Sequence, residues 1–286
     1  MIWLIGNRGM LGSDVEELLK TRSVRYIATD IDVDITDYAA LSDFASYREI
    51  DRIINCSAYT AVDKAEEERD KAYSINADGA HNIARVAEHS GAVLIHVSTD
   101  YVFDGEKNGP YLEDDETNPL GVYGRSKLEG ERRIISETDR YFIIRTAWLY
   151  GARGANFVRT MLRLFRERDE VRVVADQWGS PTYSKDLASA LISAAAGDST
   201  RFGIYHFTNE GRTNWYEFAR EIYGQAVRYG RVKRDVDIVP ITTSEYPTKA
   251  RRPKNSYLSK EKIIRELGVE CRAWRKALEE FIKKYQ

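Results

Sequence analysis

Tyr123 and Lys127 of YGRSK stand four residues apart in a stretch with helical patterning, 123–138. Side chains at i and i+4 share one helix face, so a phenol and an ammonium there can open into one cleft. A nearby ammonium favours phenolate and brings a phenol from about 10 toward the working range of a general acid or base. A surface Tyr–Lys pair is the plain alternative, and the spacing alone is common. A second polar group lies upstream. The run GAVLIHV (91–97) reads as a buried strand, and it ends in STDYVFDG (98–105), presenting Ser98, Thr99, Asp100 and Tyr101 together. Such residues also cap turns. Beside Tyr123 they gain a role: Thr99 would hydrogen-bond a substrate carbonyl while Ser98 packs or caps behind it. The residues alone allow either hydroxyl. Asn76, in SINADGAHNIA, would bond backbone near Lys127 and fix its position, unless it is a helix-surface amide.

A glycine pattern marks a second site. GNRGMLG sets Gly6, Gly9 and Gly12 between an apolar run (1–6) and a helical pattern (11–21). Gly6 would permit the tight turn, Gly9 the approach of a pyrophosphate and Gly12 close packing of helix on sheet, with the helix N-terminus supplying amide donors. Asn7, Arg8, Met10 and Leu11 belong to the same cofactor loop. Asp30, 18 residues after Gly12 at the tip of VRYIATD, is the acid expected on the adenosine ribose. It favours NAD over NADP, whereas Arg8 would pair with a 2′-phosphate, so NADH and NADPH both stand. Asp34 and Ile35 would border the adenine, and Ser57, Ala58 and Tyr59 the cofactor's next face.

Strands and helices must carry these groups. Apolar runs at 1–6, 24–30, 51–58, 92–98 and 141–150 alternate with helical patterns at 11–21, 38–47, 73–91 and 123–138. That alternation implies βαβ units and a parallel sheet covered on both faces. The expected fold class is α/β, a Rossmann-type doubly wound parallel sheet over 1–150, with a smaller α/β C-terminal region over 151–286. The second half offers helices at 156–169, 184–197, 214–230 and 273–285 and strands at 171–176 and 203–209; residues 184–204 are expected to return to the sheet, interleaving the two regions. The chain of 286 residues, 43% hydrophobic and 31% charged, is large enough for a substantial core. A net charge of −2 gives no long-range pull toward nucleic acid or anionic membrane. Cys56 and Cys271 form no metal spacing or disulfide framework. The start MIWLIGNRG lacks signal-peptide character, and no run is long enough to span a bilayer, so a cytoplasmic protein is expected.

The glycine loop, hydroxyl-ended strand and YxxxK pair resemble the extended short-chain dehydrogenase/reductase family. NCSAYTAVDKAEEE (55–68), STDYVFDG, NPLGVYGRSKLEGE (118–131), IIRTAWLYG (143–151), DQWGSPTY (176–183) and ARRPKNSYLS (250–259) are similar, within it, to the dTDP-4-dehydrorhamnose reductases. The resemblance implies a catalytic triad of Thr99, Tyr123 and Lys127, with Asn76, Tyr123 and Lys127 also on the cofactor. It implies NAD(P)H-dependent reduction of dTDP-4-dehydro-β-L-rhamnose to dTDP-β-L-rhamnose. The sugar would meet Thr99, Asp100, Tyr101, Val102, Phe103, Tyr123 and Trp148, although Trp148 also reads as a core tryptophan. The substrate's thymidine and pyrophosphate would fall to Asn156, Phe157, Gln177, Arg251 and Arg252 in the second half. Some members bind Mg²⁺ through acids at a dimer interface, which brings a homodimer into view; Asp14 lies near one such position with Asp in place of Glu, and no metal ligand is assigned. The rivals are a nucleotide-sugar epimerase or different 4-ketoreductase, and a non-catalytic subunit of the methionine adenosyltransferase regulatory type.

Overall fold

Apolar runs and amphipathic stretches alternate through the first half of the folded chain. The computed structural model describes residues 1–197 and 199–285. Its first half holds β1 (Ile2–Ile5), α1 (Met10–Thr21), β2 (Tyr26–Thr29), α2 (Tyr38–Ser46), β3 (Arg52–Asn55), α3 (Val62–Ala65), α4 (Arg69–Tyr73), α5 (Ala80–Ser90), β4 (Val93–Thr99), α6 (Val122–Glu137) and β5 (Tyr141–Thr146). A π-helical turn, Ser74–Gly79, joins α4 to α5. The expected helix 73–91 therefore starts earlier and carries a bulge. The second half continues with β6 (Leu149–Tyr150), α7 (Phe157–Glu167), β7 (Glu170–Val174), β8 (Trp178–Gly179), β9 (Thr182–Tyr183), α8 (Ser184–Ala196), β10 (Gly203–His206), β11 (Thr213–Asn214), α9 (Trp215–Arg228), β12 (Asp237–Ile241), β13 (Asn255–Ser256), α10 (Glu261–Leu267) and α11 (Trp274–Lys284).

Six strands make one parallel sheet in the order β10-β5-β4-β3-β1-β2. Strand side chains alternate between its faces. Ile2 and Leu4 pack with Val15 and Leu19 of α1 and Leu187 and Leu191 of α8. Trp3 and Ile5 pack with Leu41 of α2, Ile83 of α5 and Ile134 of α6. Both faces are thus covered, as in a doubly wound fold. Asp198, within the stretch expected to return to this sheet, lies outside the described residues, as does Gln286. A second core gathers Leu162 and Phe165 of α7, Phe218 and Ile222 of α9, and Trp274, Leu278 and Phe281 of α11. Small sheets edge it: β12 pairs with β7, and β11, β8 and β13 form a three-stranded sheet. Among the described residues no helix is long and apolar enough to cross a membrane.

One expected strand is corrected. The run 141–150 leaves the sheet at Thr146. Trp148 has φ +50°, a left-handed conformation that a strand cannot continue through. Leu149 and Tyr150 then pair with Thr182 and Tyr183 instead.

Candidate active site

The strand order departs in both directions from β1, with β2 on one side and β3 on the other. Crevices at such carboxyl ends are where open α/β sheets bind ligands. Here a cleft of about 510 Å³ is bordered by Gly6, Gly9, Asp30, Asp34, Ser57 and Ala58, with Arg8 and Ile35 at its edge. Glycine makes it possible. Gly6 has φ +83°, and a Cβ on it would sit 2.8 Å from the Ser57 backbone nitrogen. A Cβ on Gly12 would sit 2.0 Å from the Gly6 carbonyl oxygen. Gly9 caps α1 with no side-chain bond, so the first amides of the helix are available to an anion. These features fit a dinucleotide pyrophosphate. The Asp30 carboxylate accepts the N–H of Arg8 at 3.0 Å and of Ile31 at 2.9 Å. The Arg8 guanidinium is exposed, 3.7 Å from Asp32.

Three other members of the expected cofactor set do not turn their side chains to the cleft. Asn7 donates to Glu16 at 3.1 Å, Leu11 is buried in the core, and Met10 packs beside Gly151. What these three offer a dinucleotide is backbone. Asp34 accepts the N–H and hydroxyl of Thr36. The Tyr59 phenol donates to Glu68 at 3.1 Å. Asn76 is corrected: it does not bond backbone near Lys127. It bonds the Tyr59 N–H (2.8 Å) and carbonyl (3.1 Å) and the Ser126 hydroxyl (3.0 Å). Asp14, near the expected metal position, lies buried between α1 and α8 and accepts the Ser184 hydroxyl. Among the described residues no cluster of three or more His, Cys, Asp or Glu is arranged for a metal ion.

β4 and α6 bring Thr99, Tyr123 and Lys127 together. The structure separates the two hydroxyls that sequence left open. Ser98 donates to the Glu131 carboxylate, which also takes Arg145 at 2.7 Å in a buried ion pair. Thr99 donates to Asp100 at 3.0 Å and accepts the Tyr101 N–H at 3.2 Å. Burial pushes the Tyr123 phenol up to about 12; a hydrogen bond with Thr99 opposes this and the Asp100 charge adds to it. The expected lowering by Lys127 is therefore not found. The Lys127 ammonium turns instead to the Val97 carbonyl at 2.7 Å and His96 Nε2 at 3.1 Å. Burial brings Lys127 down to about 8, with Glu131 opposing. Burial, then the Lys127 charge, holds His96 well below the usual imidazole range. Its Nδ1 lies 3.0 Å from the Asn55 amide, whose Oδ1 accepts the Ser57 N–H at 2.9 Å. A buried chain thus runs from Lys127 to the wall of the dinucleotide cleft. Only a lone His in an apolar strand and an Asn at a strand tip signalled it.

The helix α6 approaches its neighbours closely. A Cβ on Gly124 would meet the Tyr101 carbonyl at 2.1 Å, and one on Gly130 the Asn76 carbonyl at 2.1 Å. Glu66 accepts the Val122 N–H at 2.8 Å, capping the helix. Tyr101 meets the Tyr123 ring edge to face, 5.5 Å between centroids.

A larger cleft, about 710 Å³, opens between Tyr101 and the second half. Trp148, Phe157, Gln177 and Arg252 border it, as do Trp215, Arg163, Arg168 and Arg172, which sequence reasoning missed. Trp148 is half-buried and stacks on Trp215, centroids 3.6 Å apart. Four expected substrate residues are corrected. Val102 and Phe103 belong to a small core with Tyr111 and Leu128. Asn156 is the N-cap of α7, bonding the Arg159 N–H at 3.1 Å and the Gly151 carbonyl at 2.9 Å. Arg251 is exposed and does not border the cleft; Arg252 does, and pairs with Asp63 at 2.7 Å. Gln177 donates to Thr243 at 3.1 Å. Asp100 is buried, with Oδ2 lacking a partner among the described residues.

Comparison with known proteins places this arrangement. A family model described as the RmlD substrate binding domain matches residues 1–286. A dTDP-4-dehydrorhamnose reductase of Aggregatibacter actinomycetemcomitans is 44% identical over 283 residues, 96% of each chain. The crystal structure of a dTDP-4-dehydrorhamnose reductase from Clostridium acetobutylicum superposes with a TM-score of 0.92 at 43% identity, covering 98% of both chains. That of the Bacillus anthracis dTDP-4-dehydrorhamnose reductase, in complex with NADP, has a TM-score of 0.91 at 39% identity over 98% of this chain and 97% of that one. By these matches over nearly its whole length, the chain belongs to the dTDP-4-dehydrorhamnose reductase family.

Proposed function

We propose that the protein reduces the 4-keto group of dTDP-4-dehydro-β-L-rhamnose to give dTDP-β-L-rhamnose, the last step of dTDP-rhamnose synthesis. The observation that carries this reading is the position of Tyr123. It stands with Thr99 and Lys127 on the β4–α6 corner, and its neighbour Tyr101 borders the arginine-lined cleft. Bound NADH or NADPH would supply the hydride that C4 accepts. Tyr123, kept neutral by burial, donates its proton to the developing alkoxide. Thr99 holds the carbonyl oxygen, and Lys127 orients the ribose side and returns charge balance after the phenol has given its proton. Gly6, Gly9 and Gly12 with the α1 N-terminus hold the pyrophosphate, and Asp30 the adenosine ribose. Residues 1–150 with 184–204 form the dinucleotide region, and the remainder of 151–286 binds the sugar nucleotide through Trp148, Phe157, Gln177 and Arg252. The relative solved with NADP supports NADPH as one acceptable cofactor.

The test is oxidation of NADH and of NADPH with the 4-keto sugar present and absent. Sugar-dependent oxidation with either cofactor is expected. A protein that converts the sugar with no net cofactor turnover would be an epimerase, and one that leaves the sugar unchanged would fit the non-catalytic rival.

A further inference from the structure

An acidic run such as VDKAEEE (62–68) is ordinarily a solvated face. Here each of its four carboxylates has a separate partner. Asp63 takes Arg252 through two bonds, at 2.7 and 3.1 Å, and also the Ala250 N–H at 3.0 Å. Glu66 caps α6 at Val122. Glu67 takes the Lys249 ammonium. Glu68 takes the Tyr59 phenol at 3.1 Å. One turn after β3 therefore ties the dinucleotide loop, the catalytic helix and the 249–252 strap together. The strap's Arg252 borders the large cleft beside Tyr101.

We propose that Asp63 is a positioning residue that presents Arg252 to the substrate's diphosphate, so that affinity for the sugar nucleotide is set partly from the dinucleotide side of the molecule. The inference rests on the reading of the large cleft as a nucleotide-sugar site. The geometry suits it. A carboxylate gripping a guanidinium with two bonds fixes its plane as well as its place. Nη1 serves Asp63 and the Ala250 carbonyl, and one Nη2 hydrogen serves Asp63. Nε–H and the second Nη2 hydrogen have no partner among the described residues, and they are the donors left for phosphate oxygens. Holding a long side chain in place before binding removes an ordering cost at binding.

Substitution of Asp63 by Asn keeps an oxygen for the Ala250 N–H and removes the charge pair, so the strap stays anchored. In Asp63→Asn, the dissociation constant for dTDP and KM for the sugar nucleotide should rise by about tenfold, with kcat, NADPH affinity and Tm near wild type. Arg252→Lys, which keeps the charge and loses the fork, should show the same split. The double variant Asp63→Asn/Arg252→Gln should bind dTDP no worse than Arg252→Gln alone, because removal of Arg252 removes what Asp63 acts on. Additive losses in the double variant, or an Asp63→Asn defect confined to kcat, NADPH binding or Tm, would overturn the proposal. If Arg252→Gln binds dTDP like wild type, the diphosphate reading of the cleft fails and the inference with it. If Arg252→Gln weakens dTDP and Asp63→Asn does not, the clamp alone is refuted.

Discussion

In the proposed reaction Tyr123 is the acid. Burial drives the phenol up to about 12, so it enters the reaction protonated and a developing alkoxide is the group that draws its proton. Tyr123→Phe should lose about 10²–10⁴ in kcat while NADPH affinity holds; near-normal reduction by this variant would remove Tyr123 from the chemistry. Asp100, its neighbour, is buried and raised from 3.8 to about 6. A carboxyl whose folded pKa lies above its unfolded value favours the fold most when protonated. Its contribution is complete below the unfolded value and is lost as pH rises through about 6. Asp100→Asn should therefore gain stability over wild type on going from about pH 4 to about pH 7, by on the order of 1–3 kcal/mol. Urea unfolding at the two pH values checks this, and an unchanged difference would mean Asp100 is solvated. At the tip of β2, Asp30 holds the Arg8 amide as well as facing the cleft. Asp30→Ala should shift kcat/KM toward NADPH relative to NADH; no relative gain would exclude it from the ribose. The grouping of Thr99, Tyr123 and Lys127 was legible at this scale because each member closes a motif. His96, Trp215 and Asp63 were not: a lone imidazole, an aromatic and an acid in a charged run have no local pattern, and their partners lie far away in sequence.

Most of the longer elements were legible through their periodicity, but β12 and α10 were not read from the sequence. The two-residue strands β8, β9, β11 and β13 were not, because pairing rather than pattern defines them. The end of β5 misled for a related reason: AWLY continues the apolar run, while the backbone turns at Trp148. That turn sets the indole against Trp215 and over Gly179. A Cβ on Gly179 would lie 2.7 Å from Trp148 Cε2, so β8 needs glycine to leave the ring its place. Gly179→Ala should displace the ring at a stability cost of about 1–3 kcal/mol. It should raise KM for the sugar nucleotide and leave NADPH affinity unchanged. Wild-type KM in a folded Gly179→Ala protein would show that the Trp148 position does not matter to the sugar.

At the scale of the whole molecule, one polar link between the core on the sheet and the second core is Arg272. It takes Asp186 of α8 at 2.8 Å and Glu280 of α11 at 2.8 Å. Asp186 also accepts Asn209, whose Oδ1 holds the Tyr183 amide at 2.7 Å. The helix packed on the sheet is thereby fastened to the helix that fills the second core. No sequence pattern announces this, since the three charged residues lie on separate elements. Arg272 is 30% exposed, so solvent weakens the pairs, yet its loss takes from Asp186 its guanidinium partner and leaves Glu280 with Lys284 alone. Arg272→Met should cost about 2 kcal/mol, between the values for exposed and fully buried pairs. The loss should fall on coupling between the cores. Wild type is expected to unfold in urea with coincident transitions by tryptophan fluorescence, which reports chiefly the second core, and by far-UV circular dichroism, which reports the whole. In Arg272→Met the fluorescence midpoint should move below the dichroism midpoint. Coincident transitions in the variant, displaced together, would show that apolar packing alone joins the two cores and that Arg272 only adds to their common stability.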